Sequence, residues 1–344
     1  MPAGQQNKLA INVSDNTWGT AESCNFPGAG IIYNSFSVDT TRDSSPVEGI
    51  GITVAGQRNA SNLNATGSLS CPFTYTHMPR LFTLFAADSN SSGTHTFTSP
   101  LVERSSYISI AEEIPQVGGA TKYREVNSAS GTSFTLSGEV NSTVQFSAEL
   151  LCDKLVTPAT VNTSLASATL PASDSFMRMA AADTDFFTIK GYGSALANLP
   201  ISGFSFTYNI PKEGGDFSTG SATIGLPDET GMHAGTLEIT IPAWAATTYN
   251  AGLLSDLPYS AVFNFPSVTT GGTACSGTLR LPNLRLVSAP ATTDGPGKIA
   301  QTITFDVLAD PSGGAVPDAD TTGGAAWELQ IVNSDTADYD TVLS

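Results

Sequence analysis

Two short words in this chain recur at one fixed separation. Asn34-Ser35-Phe36-Ser37-Val38 returns as Ser202-Gly203-Phe204-Ser205-Phe206, and Gly67-Ser68-Leu69-Ser70-Cys71 returns as Gly235-Thr236-Leu237-Glu238-Ile239, each 168 residues on (204 − 36 and 235 − 67). Single strand-like words match by chance. Two at one spacing point to a duplicated unit, and repeated units bury by association the faces that one copy leaves bare. A short helix candidate follows in each half. The first is Met78 to Ala87, with Leu81, Phe82, Leu84 and Phe85 on one face; the second is Thr247 to Leu257, with Tyr249, Leu253, Leu254 and Leu257. Pro79 sits at the start of the first, where its missing N–H costs nothing. Each half then closes on a hairpin. Phe134 to Ser137 turns through Gly138 to Asn141 into Val144 to Ala148, and Leu284 to Val287 turns around Asp294 to Gly297 into Ile303 to Val307, which pairs Phe146 with Phe305.

Between these landmarks the apolar residues alternate with period two, the pattern of half-buried strands. In the first half this covers Asn34 to Val38, Ile50 to Val54, Gly67 to Phe73, Tyr107 to Ala111, Ser133 to Ser137 and Val144 to Cys152. In the second it covers Ile201 to Tyr208, Ala222 to Leu226, Gly235 to Ile241, Tyr259 to Phe265, Thr278 to Val287 and Thr302 to Leu308. The 32 Gly and 20 Pro supply the turns between them, and 40% apolar residues supply cores. The expected fold is therefore all-β, with two tandem β-sandwich domains at 20–157 and 181–312, each carrying one short helix. An N-terminal arm (1–19) precedes them. A linker or outer strap rich in Ala, Ser, Thr and Pro (158–180) joins them. A flexible acidic C-terminal extension (313–344) follows, with a last candidate strand at Ala326 to Val332.

The charge balance excludes some functions. With 14 basic against 31 acidic residues, a net charge of −17, the chain has too few cations to grip a polyphosphate over a broad surface. Its acidity serves solubility, or a surface that repels a polyanion. No apolar stretch approaches the roughly 20 residues that span a bilayer. Residues 1–11 lack the apolar core of a secretory leader, so synthesis in the cytosol is expected.

Catalytic patterns are missing as well. Glu112-Glu113 would point to opposite faces of a strand. Gly295-Pro296-Gly297-Lys298 lacks the glycine a phosphate loop needs at Thr292. Asp318-Ala319-Asp320 opens like a calcium loop, but its twelfth position is Leu329 instead of Glu. Cys24, Cys71, Cys152 and Cys275 are widely spaced, and alternation puts Cys71 and Cys152 inward as buried thiols; counting alone leaves a disulfide open. Asn-x-Ser/Thr sequons at Asn59, Asn64, Asn90, Asn141 and Asn162 follow from a composition rich in Asn, Ser and Thr. No catalytic, cofactor-binding or metal-ligating residues are expected, and no cofactor.

The order of elements resembles the tail tube proteins of long-tailed, siphovirus-type bacteriophages. The resemblance is carried by Thr66-Gly67-Ser68-Leu69-Ser70-Cys71-Pro72-Phe73 with its following helix, Tyr107-Ile108-Ser109-Ile110, Tyr123-Arg124-Glu125-Val126-Asn127-Ser128, and Val144-Gln145-Phe146-Ser147-Ala148-Glu149-Leu150. It implies a structural virion protein of the phage tail, made in the bacterial host cytoplasm, and not an enzyme. In that family six sandwich domains form a ring whose inner strands close into a barrel, and rings stack into a tube. A long loop reaches the adjacent ring, here Asp39 to Glu48 and Pro211 to Gly220. Two such domains per chain imply homotrimeric, pseudo-hexameric rings. The implied partners are further copies of the chain, the tape measure protein, and the tail terminator and distal tail proteins. Double-stranded DNA passes through an acidic channel without specific binding, and no membrane is involved. The rival classes are a β-sandwich cell-surface adhesin or fimbrial subunit, another virion component, and a carbohydrate-active enzyme. The adhesin would need an aromatic groove, yet Trp18, Trp244 and Trp327 stand apart; the enzyme would need two placed carboxylates that no motif nominates.

Overall fold

In a computed structural model the described residues are 7–13, 17–46, 58–100, 106–180, 183, 185–191, 197–214, 224–242, 253, 256–270, 272–290, 301–309, 324–335 and 339. They are built almost wholly from antiparallel strands. In chain order these are β1 (Lys8–Val13), β2 (Gly30–Ile31), β3 (Ser35–Pro46), β4 (Arg58–Pro72), β5 (Ala87–Ser91), β6 (Thr94–Thr98), β7 (Ile108–Ile114) and β8 (Lys122–Glu139). There follow β9 (Ser142–Thr143), β10 (Gln145–Cys152), β11 (Leu155–Val156), β12 (Arg178–Met179), β13 (Phe187–Gly191), β14 (Ala197–Asn198) and β15 (Gly203–Asn209). The last are β16 (Lys212–Gly214), β17 (Pro227–Glu229), β18 (Ala234–Ile241), β19 (Tyr259–Thr270), β20 (Thr273–Ser288), β21 (Gln301–Leu308) and β22 (Glu328–Val332).

One pairing pattern occurs twice. In the first half β3 pairs with β4, β4 with β10 and β10 with β8, while β1 pairs with β7 and β7 with β8. In the second, β15 pairs with β18, β18 with β21 and β21 with β20, while β13 pairs with β19 and β19 with β20. Both copies carry the same two irregularities. Where β7 passes over Ser109, β8 steps from Ala129 to Val126; where β19 passes over Ser260, β20 steps from Leu284 to Leu281. Thr132 is an extra residue of β8 opposite Glu149 and Leu150, as Val287 is an extra residue of β20 opposite Thr304 and Phe305. Such bulges bend a strand. They let β8 and β20 each pair with one set of neighbours along its first part and another along its second.

These bulges correct the counterparts expected from the sequence. Phe36 still matches Phe204, but Phe305 occupies the place of Leu150, not of Phe146, and Leu237 occupies the place of Gly67. The repeat is real in topology, while its second word slides by two residues. A slide of two leaves every side chain on its own face, so alternation cannot detect it.

Several expected loose segments are structured. Lys8–Val13, placed in the N-terminal arm, is a buried strand between β2 and β7. Asp39 to Pro46, expected as loop, continues β3 in a long hairpin with β4, and Lys212–Gly214 pairs with β17. Leu226 lies outside a strand, with β17 starting one residue later. The first helix is a fully buried 3-10 helix, Met78–Leu84; the second candidate and the Ile50 to Val54 strand lie almost wholly or wholly outside the described residues. Part of the C-terminal segment, expected as a flexible extension, is structured. Its strand β22 lies between β20 and β6, and Trp327 is fully buried against Phe82, Phe134, Phe206 and Tyr208, so it packs on both halves at once. Farther on, the His95 ring contacts an Asp88 carboxylate oxygen at 2.8 Å and the Asp335 carbonyl at 3.1 Å, and stacks on Tyr339, whose N–H also donates to Asp88. Burial opposes charge on His95, but Asp88 outweighs it and raises its pKa.

The linker is a strap held on the outside of β1 and β7. Lys8 donates to the Leu165 carbonyl, and Leu165 and Ala168 pack with Ala10, Cys24, Phe26, Ala29 and Ala111. The buried Glu125 carboxylate anchors it, accepting from the N–H groups of Thr160, Val161 and Asn162, the Thr160 hydroxyl and the Asn162 amide. Burial raises a carboxylate's pKa, yet these donors outweigh it and Glu125 lies below its usual range. Its contribution is therefore complete above the ordinary carboxylate pKa and is lost as pH falls through the depressed folded value. Glu125→Ala should cost about 3 kcal/mol, since it strands buried N–H groups. Urea midpoints should show that cost at neutral pH and a shrinking gap from wild type in acid.

Candidate functional site

The two repeats are joined inside the chain. The outer edge of β15 pairs with the last part of β8, from Gly203 opposite Glu139 to Asn209 opposite Ser133. This makes one uninterrupted run of eight strands, β3-β4-β10-β8-β15-β18-β21-β20. From β4 to β20 alternate side chains of this run enter the core, while Phe36 and Val38 on the edge strand β3 are half-buried. Phe134, Leu136, Phe146, Phe204, Phe206, Leu237, Ile239, Ile303 and Phe305 are all buried there.

The other face is polar along most of its length, the exposed Leu308 on β21 being an apolar exception. One row crosses all eight strands as Ser35, Ser70, Ser147, Thr135, Thr207, Thr236, Asp306 and Arg285, each directly opposite the next. Hydroxyls meet across the ladder: Thr135 and Thr207 at 2.9 Å over the junction between repeats, and Ser37 and Ser68 at 2.9 Å. Small hydroxyl side chains satisfy one another and leave little for a ligand to hold. Among the described residues of this face the carboxylates are Asp39, Glu139, Glu149, Glu238 and Asp306, and the cation is Arg285, whose head group reaches the Asp256 carbonyl at 2.5 Å. A shallow groove runs along it between Glu139, Gln145, Glu238 and Thr302. The sequence showed that the chain is acidic; the register shows which acids share one face.

The candidate chemical groups do not converge. Glu112 accepts from the Tyr33 hydroxyl at 3.0 Å and pairs with Arg124, while the adjacent Glu113 sits opposite Lys8. Cys24, Cys71, Cys152 and Cys275 are buried free thiols; burial raises the pKa of each, that of Cys152 to about 12, so none is a ready nucleophile. His77 bonds the Gly30 carbonyl, His95 belongs to the C-terminal clasp, and His233 contacts Glu229 and Tyr208. Trp18 packs on Tyr107 and Trp327 on Phe82, and Trp244 lies outside the described residues. Asp318-Ala319-Asp320 and Gly295 to Lys298 also lie outside them. The Asn162 sequon is buried with its amide bonded to Glu22 and Glu125, so it is closed to modification in the folded chain. No cluster of metal-binding side chains occurs among the described residues, and no described helix is long and apolar enough to cross a membrane. Neither Glu125 nor the His95 clasp was foreseen, because their partners come from segments distant in sequence and carry no local motif.

A continuous antiparallel wall with one apolar side turned to the core and one largely polar, acidic side, and with no converging chemical groups among the described residues, fits a structural β-protein. The family assignment agrees with it: the chain matches the phage tail tube protein family over residues 13–307 and belongs to that family. This is a family of structural phage tail proteins, not of enzymes, and it makes the chain a virion component. No curated protein matches the chain.

The junction itself can be tested. A Cβ added at Gly138 would lie 2.8 Å from the Phe204 ring across the β8–β15 ladder. Gly138→Val should destabilise the chain by about 1–3 kcal/mol through overpacking. In hydrogen exchange the loss of protection should appear first along β15.

Proposed function

We propose that this chain polymerises as stacked rings into the tail tube of a siphovirus-type phage and forms an acidic channel for DNA delivery. Each chain contributes two tube domains, so three chains make a pseudo-hexameric ring. The observation that carries this is the eight-strand run: two copies of one pairing pattern, already joined side by side through β8 and β15. The polar face becomes the lumen. Asp39, Glu139, Glu149, Glu238 and Asp306 project into it and repel phosphates, while Arg285, the one cation among the described residues of this face, leaves little cationic grip. Repulsion of this kind acts within a screening length of about 8–10 Å at physiological salt. The tape measure protein fills the same channel before DNA does, terminator and distal tail proteins cap the tube, and assembly takes place in the host cytoplasm.

Concentrated pure protein viewed in negative stain should form rings or tubes with a central hole. Persistent monomers at high concentration would contradict the proposal. Replacing Glu149, Glu238 and Asp306 together by Lys should leave tubes intact but slow DNA ejection at low salt, with recovery at high salt. Ejection kinetics indifferent to both charge and salt would contradict the assignment of this face to the lumen.

A further inference from the structure

The bulges that align the two repeats also align their edges. β15 is covered on its outer edge by β8, and its Phe204 and Phe206 are 5% and 0% exposed. β3 holds the corresponding place in the first repeat. Among the described residues β3 pairs with β4 alone, and Phe36 and Val38 remain half-buried. The matching deficit lies at the far end of the run. On β8, pairing with β7 ends at Ala129 and pairing with β15 begins at Ser133, just past the Thr132 bulge. On β20, pairing with β19 ends at Leu284, the Val287 bulge follows, and no described strand covers that edge beyond it. Among the described residues one edge of each kind is left over, and an internal example shows how the two kinds fit.

We propose that the β8–β15 ladder is the template for the contact between chains, so that β3 of one copy pairs antiparallel with the end of β20 of a second copy in the same register. This rests on the tube assignment and adds the register to it. The correspondence is specific. Ser288 follows the Val287 bulge as Ser133 follows Thr132, and Thr41 lies five residues past Phe36 as Asn209 lies five past Phe204. Since Ser133 faces Asn209 and Phe134 faces Tyr208, Ser288 faces Thr41 and Ala289 faces Thr40. Asp39 then takes the place of Thr207, and Pro290 that of Thr135. The Thr135–Thr207 hydroxyl contact inside the chain has no equivalent between chains, so the two kinds of junction differ in chemistry while sharing geometry. The second copy then covers the outer edge of β3 from Asp39 to Thr41, and two open ladders that would template aggregation become one closed sheet.

Cysteine pairs test this directly, because the four native thiols are buried and leave a quiet background. Facing positions on adjacent antiparallel strands lie within disulfide reach, whereas a slip of two residues puts them beyond it. Assembled Ser288→Cys/Thr41→Cys protein, mildly oxidised, should give covalent dimers and trimers on a denaturing gel. Ser133→Cys/Asn209→Cys should cross-link within single chains only, and Ser288→Cys/Asp39→Cys should give roughly tenfold less product. In wild-type protein, which needs no substitution to fold, the amides of Ser35 to Thr41 should gain exchange protection on assembly. Tubes that form without the Ser288–Thr41 cross-link and without protection of β3 would overturn the register while leaving the tube itself standing. Failure of wild-type protein to form any ring or tube would remove the tube assignment.

Discussion

The ladder between β8 and β15 governs the rest of this molecule. A β-strand at the margin of a sheet carries unpaired N–H and C=O groups, and a protein must cover, charge or pair them. Two copies of one strand pattern placed end to end would double that problem. Joining the second copy's first long strand to the first copy's last one removes two edges and turns two short sheets into a single run of eight strands. The price is set at Gly138, where only a residue without a side chain lets the Phe204 ring settle against the ladder.

Other parts of the chain support that ladder. Phe82 on the buried 3-10 helix and Trp327 before β22 meet Phe134, the aromatic residue under the junction. The C-terminal strand, pairing with both β20 and β6, ties the second repeat back to the first. The strap holds the outside through Glu125, leaving the hydroxyl face clear. The apolar packing lies on one side of the run and the acids lie on the other. That division suits the proposed tube, whose wall would polymerise through its edges and let a polyanion pass its face.

Much of the fold was legible because strand alternation is a local signal. The words around Phe36 and Phe204, the two closing hairpins, the buried Cys71 and Cys152, and the helix at Met78 follow from neighbouring residues alone. What escaped depends on contacts far apart in the chain. Lys8–Val13 reads as part of an N-terminal arm until β7 pairs with it, and the candidate strand at Ala326 to Val332 is visible locally while its place between β20 and β6 is not. The counterpart of Phe305 was misplaced by four residues, at Phe146 instead of Leu150, because an even slide preserves the alternation, and only the bulges at Thr132 and Val287 register it. The acidic face was legible as a net charge and not as a surface, since facing depends on register across strands from both halves.

The number of chains in a ring is the most direct test of the proposed tube. An electron cryomicroscopy reconstruction of tubes formed by the full chain should show three-fold symmetry, three chains per ring, and a continuous inner sheet in which each chain supplies the eight strands from β3 to β20. A ring of six chains, or an inner wall to which each chain contributes only one repeat, would contradict it.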